Sequence, residues 1–233
     1  MFKNNYSLVA RYYPAALCSV PLFILSFYYL EPIAHDFLSF LGNLEWISGV
    51  TMSVIFVYLQ SQLVRFLGKV LEDWFFKNEA HMPTTNLLLT KDKTFSDNQK
   101  ERIKSQIFSD FSIVLPSKRQ ESTCEDDARK KIYEAVNGIR KSLRENALVF
   151  QHLTEYGFWR NLAGGSISGF VLSVVNLLVF SLTKDWLPFN LSLVMLAIYL
   201  MFIFLSKKII TWFGYQYAKI LFYEYLSTSK GAL

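Results

Sequence analysis

Four stretches of the chain contain no Asp, Glu, Lys, Arg or His: residues 12–30, 46–64, 161–183 and 186–206. They are 19, 19, 23 and 21 residues long. A helix that crosses about 30 Å of hydrocarbon needs about 20 mainly apolar residues. The pattern predicts four transmembrane helices, the first pair and the second pair separated by a long polar stretch.

That polar stretch, residues 65–160, has a helical pattern of its own. Phe66, Val70 and Trp74 recur at four-residue steps, so the second span is expected to continue as a helix towards Met82 and Pro83. Leu87, Leu88 and Leu89 make a short apolar run before Lys91, Asp92 and Lys93. Ser96, Asp97, Asn98 and Gln99 have the spacing of a capping box, and Ile103, Ile107 and Phe111 follow on one helical face. Pro116 marks a loop through Lys118 and Arg119. A second helix is expected from Thr123, Cys124, Glu125 and Asp126, whose acids suit a positive N-terminus. Its apolar stripe is Ile132, Ala135, Val136, Ile139 and Leu143. After the fourth span, Ile209, Trp212, Phe213, Tyr217, Ile220, Leu221 and Tyr225 form a broad apolar stripe flanked by Lys207, Lys208 and Lys219. This tail either continues span four or turns at Gly214 to lie on the membrane; packing against the polar stretch is the favoured arrangement.

The expected fold is an all-α membrane protein. It has four transmembrane helices in a 2+2 layout and a small helical cytoplasmic domain between helices two and three. The divisions are 1–66 and 161–206 for the two transmembrane hairpins, 67–160 for the helical domain and 207–233 for an amphipathic tail.

Composition agrees with this layout. Of 233 residues only 18% are charged, against about 25% in an ordinary soluble domain. This excludes a soluble globular domain, a disordered chain and a secreted disulfide scaffold. Cys18 lies in an apolar span and Cys124 in the polar stretch, settings that do not suit a disulfide.

Charge sets the orientation. Lys3 and Arg11 precede the first span, and Glu31, Asp36 and Glu45 follow it without a Lys or Arg. The stretch 65–160 holds 17 basic and 14 acidic residues, and Lys207, Lys208, Lys219 and Lys230 face a single Glu224 in the tail. Lys and Arg favour the cytoplasmic side. Both termini and the middle section are therefore expected inside, with two short loops outside. Lys3 and Arg11 give the start of the chain the look of a signal peptide. The apolar stretch after them is too long for one and lacks a small-residue cleavage site, so it reads as a retained helix.

Candidate catalytic residues are absent from the sequence pattern. No phosphate-binding loop, nucleophile elbow or zinc-protease motif occurs. His152 has Glu155 three residues on, and His35 has Glu31 four before, but neither pair has a third ligand. Glu125, Asp126 and Asp127 read as an acidic first helical turn, so no metal or cofactor is expected. Lys118 and Arg119, with Arg129, Lys130 and Lys131, are candidates for phosphate, from a nucleotide, an oligonucleotide or the lipid bilayer.

The spans carry two polar stripes. Ser166, Gly169, Ser173 and Asn176 share a narrow face of span three; Thr51, Tyr58, Ser61, Gln62 and Arg65 share one of span two. Such stripes either join helices through small residues and hydrogen bonds or line water. Both are therefore candidate pore linings. Arg65 and Arg160 lie at inner membrane ends, placed to reach lipid phosphate or to ring the inner mouth of a pore.

Three further stretches carry a resemblance. Arg11-Tyr12-Tyr13-Pro14-Ala15 opens span one, with Pro21 two turns later. Pro83-Thr84-Thr85 precedes Leu87-Leu88, and Tyr156-Gly157-Phe158-Trp159-Arg160-Asn161-Leu162 leads into span three. With the 2+2 layout, these segments resemble small bacterial four-helix membrane proteins of uncertain role, and the layout is also similar to the membrane effectors paired with nucleotidyltransferases in anti-phage defence, of the Hailong type. The resemblance implies a homo-oligomeric channel, a tetramer by preference, in the bacterial inner membrane. It implies a cytoplasmic domain that senses a nucleotidyltransferase or its nucleotide or oligonucleotide product, and opening that depolarises the membrane. It assigns no ligand residues. The competing expectation is a non-conducting anchor that binds a cytoplasmic partner protein. A membrane enzyme acting on lipid would need clustered acids or histidines, which Glu72, Asp73, His152 and Glu155 do not supply as a motif.

Overall fold

A computed structural model describes residues 6–30 and 45–228, with side chains for 6–28 and 54–228. It is 86% helical, without strands among the described residues. The α-helices are α1 (Tyr13–Cys18), α2 (Val20–Leu25), α3 (Glu45–Phe76), α4 (Pro83–Asn86), α5 (Asp97–Phe111), α6 (Lys118–Thr123), α7 (Glu125–Ser142), α8 (Ala147–Thr183) and α9 (Trp186–Thr228). Two π-helical turns, Leu8–Tyr12 and Ser26–Leu30, flank α1 and α2.

Among the described residues, three helices are long and apolar enough to cross a membrane: α3 from Val54 onwards, α8 and α9. The first apolar stretch is not one straight helix. Its two halves, Leu8–Cys18 and Val20–Tyr28, meet at a bend of 44°, and together they pass the same test of length and composition. Pro14 and Pro21 explain the break, because each removes a backbone N–H from the helical ladder. The outer loop with Glu31, His35 and Asp36 lies outside the described residues, as do the side chains of Trp46 and Thr51.

The chain divides into two compact units. One combines the segment up to Leu71 with Gly157–Ile209; the other combines Glu72–Tyr156 with the segment from Ile210. The first, apolar unit packs around Cys18, Val64, Leu162 and Tyr199. In it, α3 and α8 approach to backbone contact. A Cβ on Gly164 would overlap the backbone of Gly68, and one on Gly165 would stand 2.7 Å from Cys18 Sγ. Glycine is what lets these helices close on one another. Lys184 takes a left-handed φ of 60° at the end of α8, and Asp185 accepts the Phe189 N–H to start α9.

The second, polar unit has a core of Leu87, Leu88, Leu89, Phe95, Ile103, Ile107, Ile132 and Ile139. The stripe expected on α7 is the buried one, Ile132, Ala135, Val136, Ile139 and Leu143. Ser96 caps α5 by accepting the Gln99 N–H, but the full reciprocal box forms at Ser117 and Gln120. Lys118 and Arg119 therefore open a short helix where a loop was expected. The tail does not turn at Gly214. It is the last part of α9, and Tyr225 donates to Asp110 while its carbonyl accepts from Gln106. Gly214 serves close packing instead, since a Cβ there would press on Pro83 at 3.1 Å.

The extension of α3 beyond the apolar stretch also forms, as expected. Phe66, Val70 and Trp74 are exposed, Trp74 at 75%. The buried face carries Val64 in the apolar unit and Glu72 and Phe76 in the polar unit. Glu72 is held there by a hydrogen bond from the Tyr156 hydroxyl at 2.9 Å.

Candidate functional site

The broken first helix organises the apolar unit. In an α-helix the N–H of residue i serves the carbonyl of residue i−4. Pro14 cannot serve Ala10, and Pro21 cannot serve Leu17. Side chains from the later helices supply the missing donors. Asn161 Nδ2 on α8 donates to the Ala10 carbonyl at 2.6 Å. The Tyr199 hydroxyl on α9 donates to the Leu17 carbonyl at 2.7 Å. Asn176 Nδ2 on α8 donates to the carbonyl of Pro21 itself at 2.7 Å. At the bend, Ser19 bonds back to Ala15 through both its hydroxyl, at 2.8 Å, and its N–H, at 2.9 Å. Each interhelical bond of this kind stabilises a membrane bundle by about 0.6–2 kcal/mol.

This accounts for the stripe on α8. Ser166, Gly169, Ser173 and Asn176 are all buried inside the single chain. Ser166 and Ser173 return their hydroxyls to the carbonyls of Leu162 and Gly169, each at 2.8 Å. Gly169 leaves room for the Tyr199 ring, which a Cβ would meet at 2.8 Å. These four residues therefore make helix contacts, and a lumen in this packing would not reach them. Asn176 Oδ1 and Ser192 Oγ are buried without a partner among the described residues.

The stripe on α3 is different. Ser61 is buried, with its hydroxyl on the Tyr58 carbonyl, and Gln60 reaches Ser168 on α8 at 2.7 Å. Tyr58, at 52% exposure, and Gln62 and Arg65 all face away from the rest of the chain. The side chain of Thr51 lies outside the described residues.

Arg160, a candidate for lipid phosphate or a pore mouth, lies inside the single chain. It is buried, and its Nε and one terminal nitrogen each lie 3.2 Å from Asn161 Oδ1. The same Asn161 thus accepts from Arg160 and donates to Ala10. Prolines in an apolar stretch, with Asn and Tyr in the neighbouring ones, are the signal for these clasps; the stripes alone did not single out Asn161 or Tyr199.

In the polar unit the basic residues part company. Lys118 lines a cavity of about 340 Å³ together with Leu89, Thr90, Lys91, Lys93 and Glu121, closed by Ser122 and Glu125. Arg119, Lys130 and Lys131 are exposed and do not line it; Lys130 pairs with Asp127 at 3.4 Å. Arg129 is buried and gripped by Glu125 at 2.7 Å and by Asn86 Oδ1 at 2.7 Å. Glu125 also accepts from Lys91 at 2.7 Å. These two donors, Lys91 first, hold its carboxyl down at about 2. The two Glu121 oxygens take the Thr90 N–H at 2.8 Å and its hydroxyl at 2.9 Å.

No family model matches the chain, and no curated protein or solved structure is similar to it. The site must be read from its own geometry. His152 pairs with Glu155 at 3.3 Å, Glu155 also accepts from Gln151 Nε2 at 3.1 Å, and no group of three His, Cys, Asp or Glu side chains comes together among the described residues.

Proposed function

We propose that several copies of this chain assemble in a membrane through the outward face of α3 and form a gated pore. The observation that carries the reading is the exposed row of Tyr58, Gln62 and Arg65 on a helix long enough to span. A polar row against hydrocarbon is costly, and a second copy or a water-filled lumen removes that cost. The stripe on α8 is left out of the lumen, because its residues are buried within the single chain and Asn176 already bonds the first helix.

In this reading the membrane is the bacterial inner membrane and the assembly a tetramer. The Lys and Arg distribution sets both termini and the polar unit on the cytoplasmic side. The resemblance to nucleotidyltransferase-linked defence effectors supplies the direction of action: a nucleotide or oligonucleotide signal reaches the polar unit and the open pore depolarises the cell. Arg65 rings the inner mouth and favours anions.

The test is ion flux in proteoliposomes together with cross-linking of a Gln62→Cys variant. The expected result is cross-linked rings of three or more copies and a several-fold loss of anion preference in Arg65→Ala. A monomer or dimer that passes no ions under any ligand overturns the pore.

A further inference from the structure

We infer that the cavity of the polar unit is a binding site for a compact polyphosphate or phosphate ester. Its volume, about 340 Å³, lies within the roughly 300–1,000 Å³ usual for small-ligand sites. Three lysines line it: Lys91, Lys93 and Lys118. Its two carboxylates are already engaged. Glu121 takes the Thr90 N–H on one oxygen and its hydroxyl on the other, and Glu125 is shared between Lys91 and Arg129. Lys93 and Lys118 have no hydrogen-bond or ion-pair partner among the described residues, and three lysines against two carboxylates leave the lining with one positive charge in excess.

The lysines stand on fixed backbone. Lys100, itself buried, donates through Nζ to the carbonyls of Leu89 and Asp92, and so clamps the loop that carries Lys91 and Lys93. The capping box of Ser117 and Gln120 fixes the start of α6 and with it Lys118. The chemistry selects phosphate groups over a base. Leu89 is the one apolar residue of the lining and no aromatic ring faces it, so nothing there can stack a nucleobase. Lysine ammonium groups suit phosphate as point charges.

The site deepens the gating proposal and rests on it only for its role, because binding is read without flux. The experiment uses the full chain in detergent, titrated calorimetrically with pyrophosphate and with ATP. A parallel arm titrates the same detergent-solubilised chain with short-chain phosphatidylglycerol and, as control, short-chain phosphatidylcholine. Lys93→Ala and Lys118→Ala are each expected to weaken pyrophosphate binding by about tenfold, the loss of one charge-assisted contact. Lys141→Ala, an exposed lysine outside the cavity, is expected to leave it unchanged. Dependence on Lys93 and Lys118 in the phosphatidylglycerol arm alone identifies the phosphate as a lipid headgroup. Absence of binding in both arms, or an equal loss in Lys141→Ala, overturns the site.

Discussion

The polar stripes of α8 and α3 look alike in the sequence and have opposite fates. On α8, Ser166, Gly169, Ser173 and Asn176 are buried against other helices of the same chain. On α3, Tyr58, Gln62 and Arg65 are exposed. The difference comes from a third element. Pro14 and Pro21 leave the Ala10 and Leu17 carbonyls in need of donors, which Asn161 and Tyr199 supply from α8 and α9, and Asn176 adds a bond to the Pro21 carbonyl. A polar stripe in an apolar helix says that a partner exists. The proline-broken neighbour says which stripe it takes.

The strongest way to break this contrast is to separate α8 from α3. Gly164→Leu places a side chain where the backbone of Gly68 lies, and backbone cannot give way as a side-chain tip can. The expected cost is at or above about 3 kcal/mol, the top of the range for overpacking. The readout is thermal unfolding and monodispersity of the detergent-purified protein. A stable, monodisperse Gly164→Leu protein would mean that the two helices do not cross there.

Next come the clasps. Asn176→Leu and Asn161→Leu remove a donor from a buried carbonyl, and each is expected to destabilise by about 1–2 kcal/mol. Asn161→Leu is the more severe of the two, since it also removes the Oδ1 that accepts from Arg160. Gln62→Leu on α3 is the matched control and is expected to leave the unfolding temperature of the single chain unchanged. Tyr199→Phe keeps the ring against Gly169 and deletes only the hydroxyl, so it is expected to cost less, about 1 kcal/mol. If Gln62→Leu destabilises as much as Asn176→Leu, the two stripes do not differ.

Much of the helical layout was legible from periodicity. The apolar stretches became helices, and the α7 stripe became core because Ile132, Ala135, Val136 and Ile139 repeat at helical spacing. Short-range chemistry was legible too, though the complete capping box formed at Ser117 rather than at Ser96. What was not legible depends on contacts between distant segments. The bend at Ser19 needs donors more than 140 residues away to be tolerated. The exposed face of α3 carries Phe66, Val70 and Trp74, which composition alone assigns to a core. Lys93 joined Lys118 at the cavity only through folding, whereas Lys130 and Lys131, adjacent in sequence to Arg129, did not.

The smallest effect sharpens the contrast between the two units through acid. The clasps of the apolar unit are amide and phenol donors to backbone carbonyls, groups that do not titrate between neutral pH and pH 2. The polar unit relies on Glu125, whose carboxyl is held at about 2 by Lys91 and Arg129. A carboxyl with a lowered folded value contributes stability above its unfolded value, here 4.5, and loses it as the pH falls towards the folded value. Glu125 is half exposed, so solvent screening keeps the contribution within the roughly 0–1 kcal/mol of surface ion pairs. Hydrogen exchange at pH 7 and pH 3 is expected to show faster opening around the start of α7 and no matching change at the Ala10, Leu17 and Pro21 clasps. Glu125→Gln is expected to remove most of that pH dependence. Equal acceleration at both places would mean that the ion pairs around Glu125 are not what acid loosens first.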